Sequence, residues 1–128
     1  MQTYFCPGCW RQVDEDSDFC PSCKYNLAEF ARLPYEEKLL LSLDHPIREN
    51  RAIAIHALGA LRSQKALPRF GAMLDREKDY YVLRQVLHAL AQVESPGSRA
   101  ILRRATCHPS RLVRTLALRL LNRPPAAR

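Results

Sequence analysis

Four of the five cysteines in this sequence stand in two Cys-Pro-x-Cys pairs, Cys6 with Cys9 and Cys20 with Cys23. A two-residue spacer lets one tight turn bring both sulfurs of a pair onto one metal ion, and Zn²⁺ accepts four thiolates in a tetrahedron. A proline after the first cysteine of each pair suits such a turn, because it restricts φ and removes one donor. The sequence therefore predicts one Zn²⁺ held by all four cysteines. Since four protein sulfurs leave no coordination position for water or substrate, we expect the ion to be structural.

A redox dithiol of the thioredoxin kind is the alternative interpretation of a Cys-x-x-Cys pair. That motif occurs once, at a strand-to-helix junction of a larger α/β domain, whereas here the pair occurs twice within residues 6–23. The spacer between the pairs, residues 10–19, is long enough for a hairpin or loop that returns the second pair to the first. The arrangement favours metal binding.

Both pairs carry a preceding aromatic residue, as Phe5-Cys6-Pro7-Gly8-Cys9 and Phe19-Cys20-Pro21-Ser22-Cys23. In this they resemble the double knuckle of the zinc ribbon family, over about residues 3–27. The resemblance implies a small zinc ribbon, and we assign it residues 1–30. Zinc ribbons usually have glycine after the second cysteine of each knuckle, where this chain has Trp10 and Lys24.

Charge separates this segment from the rest of the chain. Residues 1–30 hold two basic and five acidic side chains, a net charge of 2 − 5 = −3, whereas residues 31–128 hold 18 basic and 8 acidic ones, 18 − 8 = +10. No apolar run reaches the length of a membrane span, and no basic segment followed by an apolar one opens the chain. We therefore expect a cytoplasmic protein with no membrane contact, in which thiols stay reduced.

Apolar residues recur at helical spacing from Pro34 onward. Three predicted helices align with one another, beginning at Asn50, Val82 and Val113, at offsets of 32 and 31 residues. Shorter helices are predicted between them, at 35–43, 65–74 and 98–106. This interval is typical of helical-hairpin solenoids. The sequence thus predicts a mostly α fold, a short α-helical solenoid of about three helix pairs over residues 34–123 and a tail at 124–128, behind the small zinc ribbon.

The repeats resemble HEAT repeats, of the short bacterial type named after phycobilisome lyases. The matching residues are Arg51 with Ala57-Leu58-Gly59, Ala66-Leu67-Pro68, and Val113-Arg114. The resemblance implies that an Arg near the start of the first helix of a pair bonds a loop acid, and Arg51 and Arg114 occupy that place. The middle repeat has Leu83 there.

Three further residues could suggest a site. His56 and His88 stand at the same repeat position, which we interpret as tolerated helix-face histidines and not metal ligands. Cys107 lies beside His108, and we expect a small buried apolar residue there and not a nucleophile.

The sequence has no phosphate-binding glycine loop, nucleophile elbow or paired carboxylates in an apolar setting, so we expect no enzyme and no small-molecule substrate. A scaffold that binds a protein partner through the repeat surface is the favoured function. The alternative is nucleic-acid binding through the ribbon and an arginine-rich C-terminal repeat. Its candidate phosphate-binding residues are Arg99, Arg103, Arg104, Arg111, Arg114 and Arg119.

Overall fold

Helices dominate this chain in the computed structural model, which describes residues 4–14 and 16–122. The elements are β1 (Tyr4–Phe5), β2 (Gln12–Val13), α1 (Leu27–Ala31), α2 (Tyr35–Ser42), α3 (Arg48–Ala60), α4 (Leu67–Arg76), α5 (Tyr80–Val93), α6 (Pro96–Ala105) and α7 (Arg111–Leu121). The six predicted helices are all present, with ends within about two residues of the prediction. The predicted mostly α fold class is therefore confirmed. The predicted tail, residues 124–128, lies outside the described residues.

The described residues divide into two compact units. One extends to Ala54, and the other begins at Ile55, so the division falls inside α3. The predicted domain boundary between residues 30 and 34 lies within the first unit and stays a prediction.

The first unit contains the two short strands, the four paired cysteines and the first helices. β1 pairs with β2 in antiparallel register, with Tyr4 opposite Val13 and Phe5 opposite Gln12. A short helix, α1, follows directly, and it was not predicted. It begins after Asn26, whose side-chain oxygen accepts a hydrogen bond from the Glu29 backbone N–H at 2.9 Å. That contact satisfies one of the amides that a helix start leaves unpaired.

In the second unit, helices stack in two layers. α4 packs against α6, α5 packs against α7, and the layers meet through contacts of α5 with α4 and α6 and of α6 with α7. Contacts between neighbours in sequence and between next neighbours are the pattern of a helical solenoid, in which each pair buries one face against the next. The predicted solenoid is thus present in this unit.

The core of the second unit lies around α5. Its buried residues are Val82, Leu83, Val86, Leu87, Ala89, Leu90 and Val93. Phe70 and Leu74 of α4 are also buried, while Met73 is half-buried. A Cβ built on Gly59 would lie 2.9 Å from both the Cα and the Cβ of Ala89. Gly59 therefore lets the C-terminal part of α3 approach α5 closely.

Side-chain caps set the starts of the later helices. The Asp79 carboxylate accepts from the Tyr81 N–H at 2.9 Å at the start of α5. Ser95 and Ser98 bond each other's backbone N–H reciprocally at the start of α6. Ser110 precedes α7 as its N-cap. Among the helices of the described residues, none combines the length and the apolar character that crossing a membrane requires.

Candidate metal centre

The two Cys-Pro-x-Cys turns have the same backbone hydrogen bonds, displaced by fourteen residues. In the first, the Cys6 N–H donates to the Arg11 carbonyl at 2.9 Å, and the Trp10 N–H donates to the Cys6 carbonyl at 2.6 Å. In the second, Cys20 donates to Tyr25 at 3.0 Å and Lys24 donates to Cys20 at 2.9 Å. The β1–β2 pairing of Phe5 with Gln12 likewise recurs as an isolated bridge between Phe19 and Asn26. The segment is therefore a double knuckle.

The knuckles bring the four predicted ligands together. The ligand atoms of Cys6, Cys9, Cys20 and Cys23 all lie within 4.8 Å of one another. The Sγ atoms of Cys6 and Cys23 are 3.5 Å apart, and those of Cys9 and Cys20 are 3.7 Å apart. A tetrahedron with metal–sulfur bonds of about 2.3 Å has edges of about 3.8 Å, whereas a disulfide needs about 2.05 Å. All four cysteines are free, and this cluster could bind a metal ion.

Both residues that follow a knuckle adopt a left-handed backbone. Trp10 has φ of 63° and Lys24 has φ of 67°. Zinc ribbons usually meet this geometry with glycine, which has no Cβ to clash. This chain keeps the left-handed turn without the glycine, so the departure noted in the sequence does not change the backbone.

The glycine inside the first knuckle has a different role. A Cβ on Gly8 would lie 2.9 Å from Cδ2 and 3.1 Å from Cβ of Tyr25, and 3.2 Å from Sγ of Cys23. The backbone N–H of Gly8 also donates to the Cys6 Sγ at 3.3 Å. The corresponding residue of the second knuckle, Ser22, is exposed. Gly8 thus lets Tyr25 close over the sulfurs.

Backbone hydrogen bonds, burial and the neighbouring sulfurs shift the pKa values of two of the thiols, Cys20 and Cys23. The backbone N–H of Cys23 lowers the pKa of the Cys20 thiol to about 6, against the opposing effect of burial. At Cys23, the Tyr25 backbone acts to lower the pKa, but burial and the sulfurs of Cys6, Cys20 and Cys9 raise it to about 12. Four thiolates this close repel one another. A cation bound among them would offset that repulsion, so the cluster favours metal binding.

His45 joins the cysteine segment to the loop before α3. Its imidazole is 6% exposed and lies edge-on to the Phe5 ring, with ring centroids 4.9 Å apart. The Trp10 ring lies on it at a centroid distance of 4.8 Å. Burial, and then the charge of Arg51, lower the pKa of His45. Phe5 and Trp10 flank knuckle cysteines in sequence, so their positions depend on the knuckle. The role of His45 was not predicted.

The loops before α3, α5 and α7 share one hydrogen bond, in which a side chain accepts from the backbone N–H two residues later. The donors and acceptors are Ile47 to His45 at 3.0 Å, Asp79 to Glu77 at 3.2 Å, and Ser110 to His108 at 3.0 Å. Glu77 therefore does in the middle repeat what histidine does in the others. The recurrence supports the predicted repeat register.

Arg51 and Arg114 also have equivalent contacts. The Nη1 of Arg51 donates to the carbonyls of His45 at 2.9 Å and Pro46 at 3.2 Å. The Nη1 of Arg114 donates to those of His108 at 2.9 Å and Pro109 at 2.8 Å. Each guanidinium thus bonds two carbonyl oxygens of its own loop, and the loop acid that the resemblance implied as a partner stays a prediction. Both arginines hold the loop against the first turn of the helix.

The six candidate phosphate-binding arginines do not share one role. Arg114 is half-buried and bonds its loop, and the other five are exposed. Arg104 donates from Nη2 to the Gly71 carbonyl at 2.6 Å and lies 3.6 Å from a carboxylate oxygen of Asp75. Arg104 therefore connects α6 to α4. The remaining four arginines are exposed: Arg99, Arg103, Arg111 and Arg119.

Solvent exposure tests the interpretations of the three other candidate residues, His56, His88 and Cys107. His56 and His88 are both exposed on their helices, in agreement with the interpretation as helix-face residues. Cys107 is exposed, so the expectation of a buried residue was wrong: Cys107 follows the last turn of α6, beyond its buried Ala105. The Nε2–H of the neighbouring His108 donates to the Leu74 carbonyl at 2.9 Å, and its Nδ1 accepts from the Ser110 backbone N–H at 3.0 Å.

The stacked helices and the cysteine cluster define an α-helical repeat protein with a candidate metal centre near its N-terminus. Residues 36–122, about two thirds of the chain, match HEAT repeats. The chain belongs to the HEAT repeat family. No curated protein and no solved structure matches it.

Proposed function

We propose that this chain is a non-catalytic interaction protein, in which a zinc ribbon stabilises the N-terminal helical segment and the HEAT repeats bind a protein partner. The observation that carries the proposal is the family itself: residues 36–122 are HEAT repeats, and such repeats generally mediate contacts between proteins. The two helix layers of the second unit supply the repeat surface on which a partner binds.

The ion that we assign to the four cysteines is Zn²⁺. Its support is the sulfur spacing, because 3.5 and 3.7 Å are close to the edge of about 3.8 Å expected for a tetrahedral zinc–thiolate centre. Bound zinc supplies a cross-link between the two knuckles and neutralises their thiolates. In small zinc modules such binding provides roughly 10–16 kcal/mol of apparent free energy, and this energy is also folding free energy. We therefore assign the ion a structural role and no catalytic one.

The ribbon also has a role beyond its own fold. Phe5 and Trp10 enclose His45, and the carbonyl of His45 accepts from Arg51 in the first turn of α3. Zinc binding therefore orders a loop that precedes a repeat helix. In the last repeat, the equivalent His108 instead bonds the Leu74 carbonyl of α4. Phe5 and Trp10 thus contact the histidine of the loop before α3, whereas a carbonyl of α4 contacts the histidine of the loop before α7.

Site-specific photo-crosslinking in the native cell tests the protein-partner proposal. A photoreactive phenylalanine analogue replaces exposed repeat residues, one at a time: Arg84, His88 and Arg103. The matched control position is Phe19, which is 58% exposed in the ribbon. We expect a discrete protein adduct from at least one repeat position and not from Phe19. Nucleic-acid adducts alone, or no protein adduct from any repeat position, would contradict the proposal.

Nucleic-acid binding is the second candidate, because Arg99, Arg103, Arg111 and Arg119 are exposed and no acidic residue follows Glu94. Phosphate binding would weaken steeply between low and moderate salt, since each neutralised phosphate releases counterions. It would also be lost when Arg99 and Arg103 are replaced by Glu. Unchanged binding to cell-derived RNA and DNA in that variant would exclude it.

Two finer assignments belong to the same proposal. We assign the repeats to the short bacterial type of phycobilisome lyases, on Arg51 and Arg114 at equivalent positions with equivalent contacts. We place the protein in a reducing, cytoplasmic compartment, because the metal centre needs its cysteines as free thiolates.

A further inference from the structure

One side of α7 is exposed to solvent, whereas the corresponding side of α3 and of α5 is buried. Leu118 is 52% exposed. In the repeat register its equivalents are Ile55 in α3 and Leu87 in α5, and both are 0% exposed. One turn further, Leu121 is half-buried, whereas its equivalents Leu58 and Leu90 are 0% exposed. The repeat pattern therefore places two leucines at positions that the stack normally covers.

The stacking of the helices explains the difference. α7 packs against α5 and α6, and Leu87 and Leu90 of α5 are fully buried. Within residues 4–14 and 16–122, no helix follows α7. In the part of the chain that the structure describes, Leu118 on this side of α7 is exposed to solvent.

Exposed basic residues lie on α7 and on α6, the helix that packs against it. Arg111 is seven residues before Leu118, so it lies on the same side of α7. On α6, the exposed Arg99 and Arg103 are four residues apart and share one side. That side differs from the one on which Arg104 bonds Gly71 of α4. We name this surface the open end and define it as Leu118, Leu121, Arg111, Arg99 and Arg103.

We propose that the open end binds an amphipathic helix of a partner protein, whose apolar stripe covers the leucines and whose flanking Asp and Glu side chains pair with the arginines. This inference rests on the proposed function and names the surface and the chemistry of the partner. In the preceding repeat, a helix, α7, packs against α5, where the equivalent residues Leu87 and Leu90 are buried. An acidic helix is complementary in charge to this surface, because the chain has no acidic residue after Glu94.

Charge and composition argue against two other occupants. A second copy bound through the same surface would bring arginines against arginines, which is unfavourable. A nucleic acid would leave Leu118 and Leu121 without apolar partners, and no aromatic residue after Tyr81 is present to stack on bases.

Fluorescence anisotropy with a labelled peptide tests the proposal. The probe is an amphipathic peptide of about 18 residues, five helical turns, with Leu at helical spacing and Glu on the flanks. A scrambled peptide of the same composition and a single-stranded RNA of similar length are the comparison probes. The zinc-loaded full chain is used throughout. We expect it to bind the amphipathic peptide and to bind both comparison probes at least about tenfold more weakly.

α7 offers a matched pair of variants. Leu118→Lys should weaken peptide binding by about tenfold or more, because it places a charge in the centre of the contact. Leu112→Lys should change it by less than about twofold, because Leu112 is 59% exposed on another side of the same helix. Arg103→Glu should weaken binding several-fold through like-charge repulsion. Circular dichroism verifies that each variant keeps its helices.

Three results would overturn the proposal: no binding of the amphipathic peptide, equal effects of Leu112→Lys and Leu118→Lys, or tighter binding of RNA than of peptide. The wider proposed function has a separate test. If a photo-crosslinked protein partner still binds the Leu118→Lys variant undiminished, the open end is wrong and the interaction role stands. If no repeat position crosslinks to any protein, the interaction role itself is wrong.

Discussion

Trp10 and Lys24 have the same left-handed backbone, with φ of 63° and 67°, yet their side chains differ in what they contact. Lys24 is exposed, whereas the Trp10 ring packs on His45. We therefore predict opposite effects of one substitution at the two positions. Lys24→Gly should strengthen zinc binding, and Trp10→Gly should weaken it.

The magnitude follows from the backbone and the ring contact. A non-glycine residue in the left-handed region destabilises the fold by roughly 1–2 kcal/mol. Glycine removes this strain, but it loses more conformational entropy on folding, which costs roughly 0.5–1 kcal/mol. The net gain for Lys24→Gly is about 0.5–1 kcal/mol, which is ~2–5-fold in zinc affinity where folding and binding are one step. Trp10→Gly has the same gain but loses about 2 kcal/mol from a half-buried ring and its aromatic contact. It should bind zinc ~5-fold more weakly.

Competition with a chromophoric chelator measures both affinities on the full chain. Lys24→Ala is the control, because alanine keeps the Cβ that the left-handed region disfavours and should show no gain. The reasoning is refuted if Lys24→Gly binds zinc more weakly than the wild type, or if both glycine variants change affinity in the same direction.

Three further predictions concern close packing and one buried imidazole. Gly8→Ala should lower zinc affinity by about 1–3 kcal/mol, because its Cβ would meet Tyr25 at 2.9 Å; Ser22→Ala, at an exposed position, should not, and equal effects in a chelator competition would contradict this. Gly59→Ala should destabilise the second unit by about 1–3 kcal/mol against Ala89 despite its better helix propensity, and a raised urea midpoint would disprove it. Burial lowers the pKa of His45 in the folded chain, so its contribution is complete above the unfolded value of about 6.5 and is lost as pH falls through the folded value. The stability difference between wild type and His45→Gln, which share the four cysteines, should therefore shrink on acidification, and a constant difference from pH 7.5 to 5 would refute it.

Periodicity was sufficient for most of the helical fold. The alignment of the helices from Asn50, Val82 and Val113 predicted the repeat, because the apolar positions that the layers bury recur at helical spacing. The same principle missed α1, which is too short for a periodic signal. Its start could have been found from Asn26 followed by Glu29, the spacing of a helix cap.

Only the part of the candidate site that depends on local residue spacing, the set of cysteine ligands, was predictable from the sequence. Two cysteine pairs identify a metal centre because each pair forms one turn. The place of His45 between Phe5 and Trp10 depends on how distant segments pack, which no local pattern records. Cys107 was assigned as buried from the usual preference of its residue type, and its position after the last turn of α6 decides otherwise.

The exposure of Leu118 was also not predictable from the sequence pattern. Leu118 has the same apolar character as Leu87, and the periodic pattern predicts burial for both. The structure distinguishes them, because Leu87 is buried on α5, against which α7 packs, whereas Leu118 on α7 is 52% exposed.

Hydrogen exchange of the zinc-loaded and chelator-treated chain, followed by mass spectrometry, tests the central claim that zinc stabilises the N-terminal segment. Chelation should remove protection from residues 6–27 and weaken it at Ile47, whose backbone N–H donates to Nδ1 of His45. Protection in α5, α6 and α7 should stay unchanged, since these helices have their own core. Unchanged protection of residues 6–27 after chelation would contradict the claim.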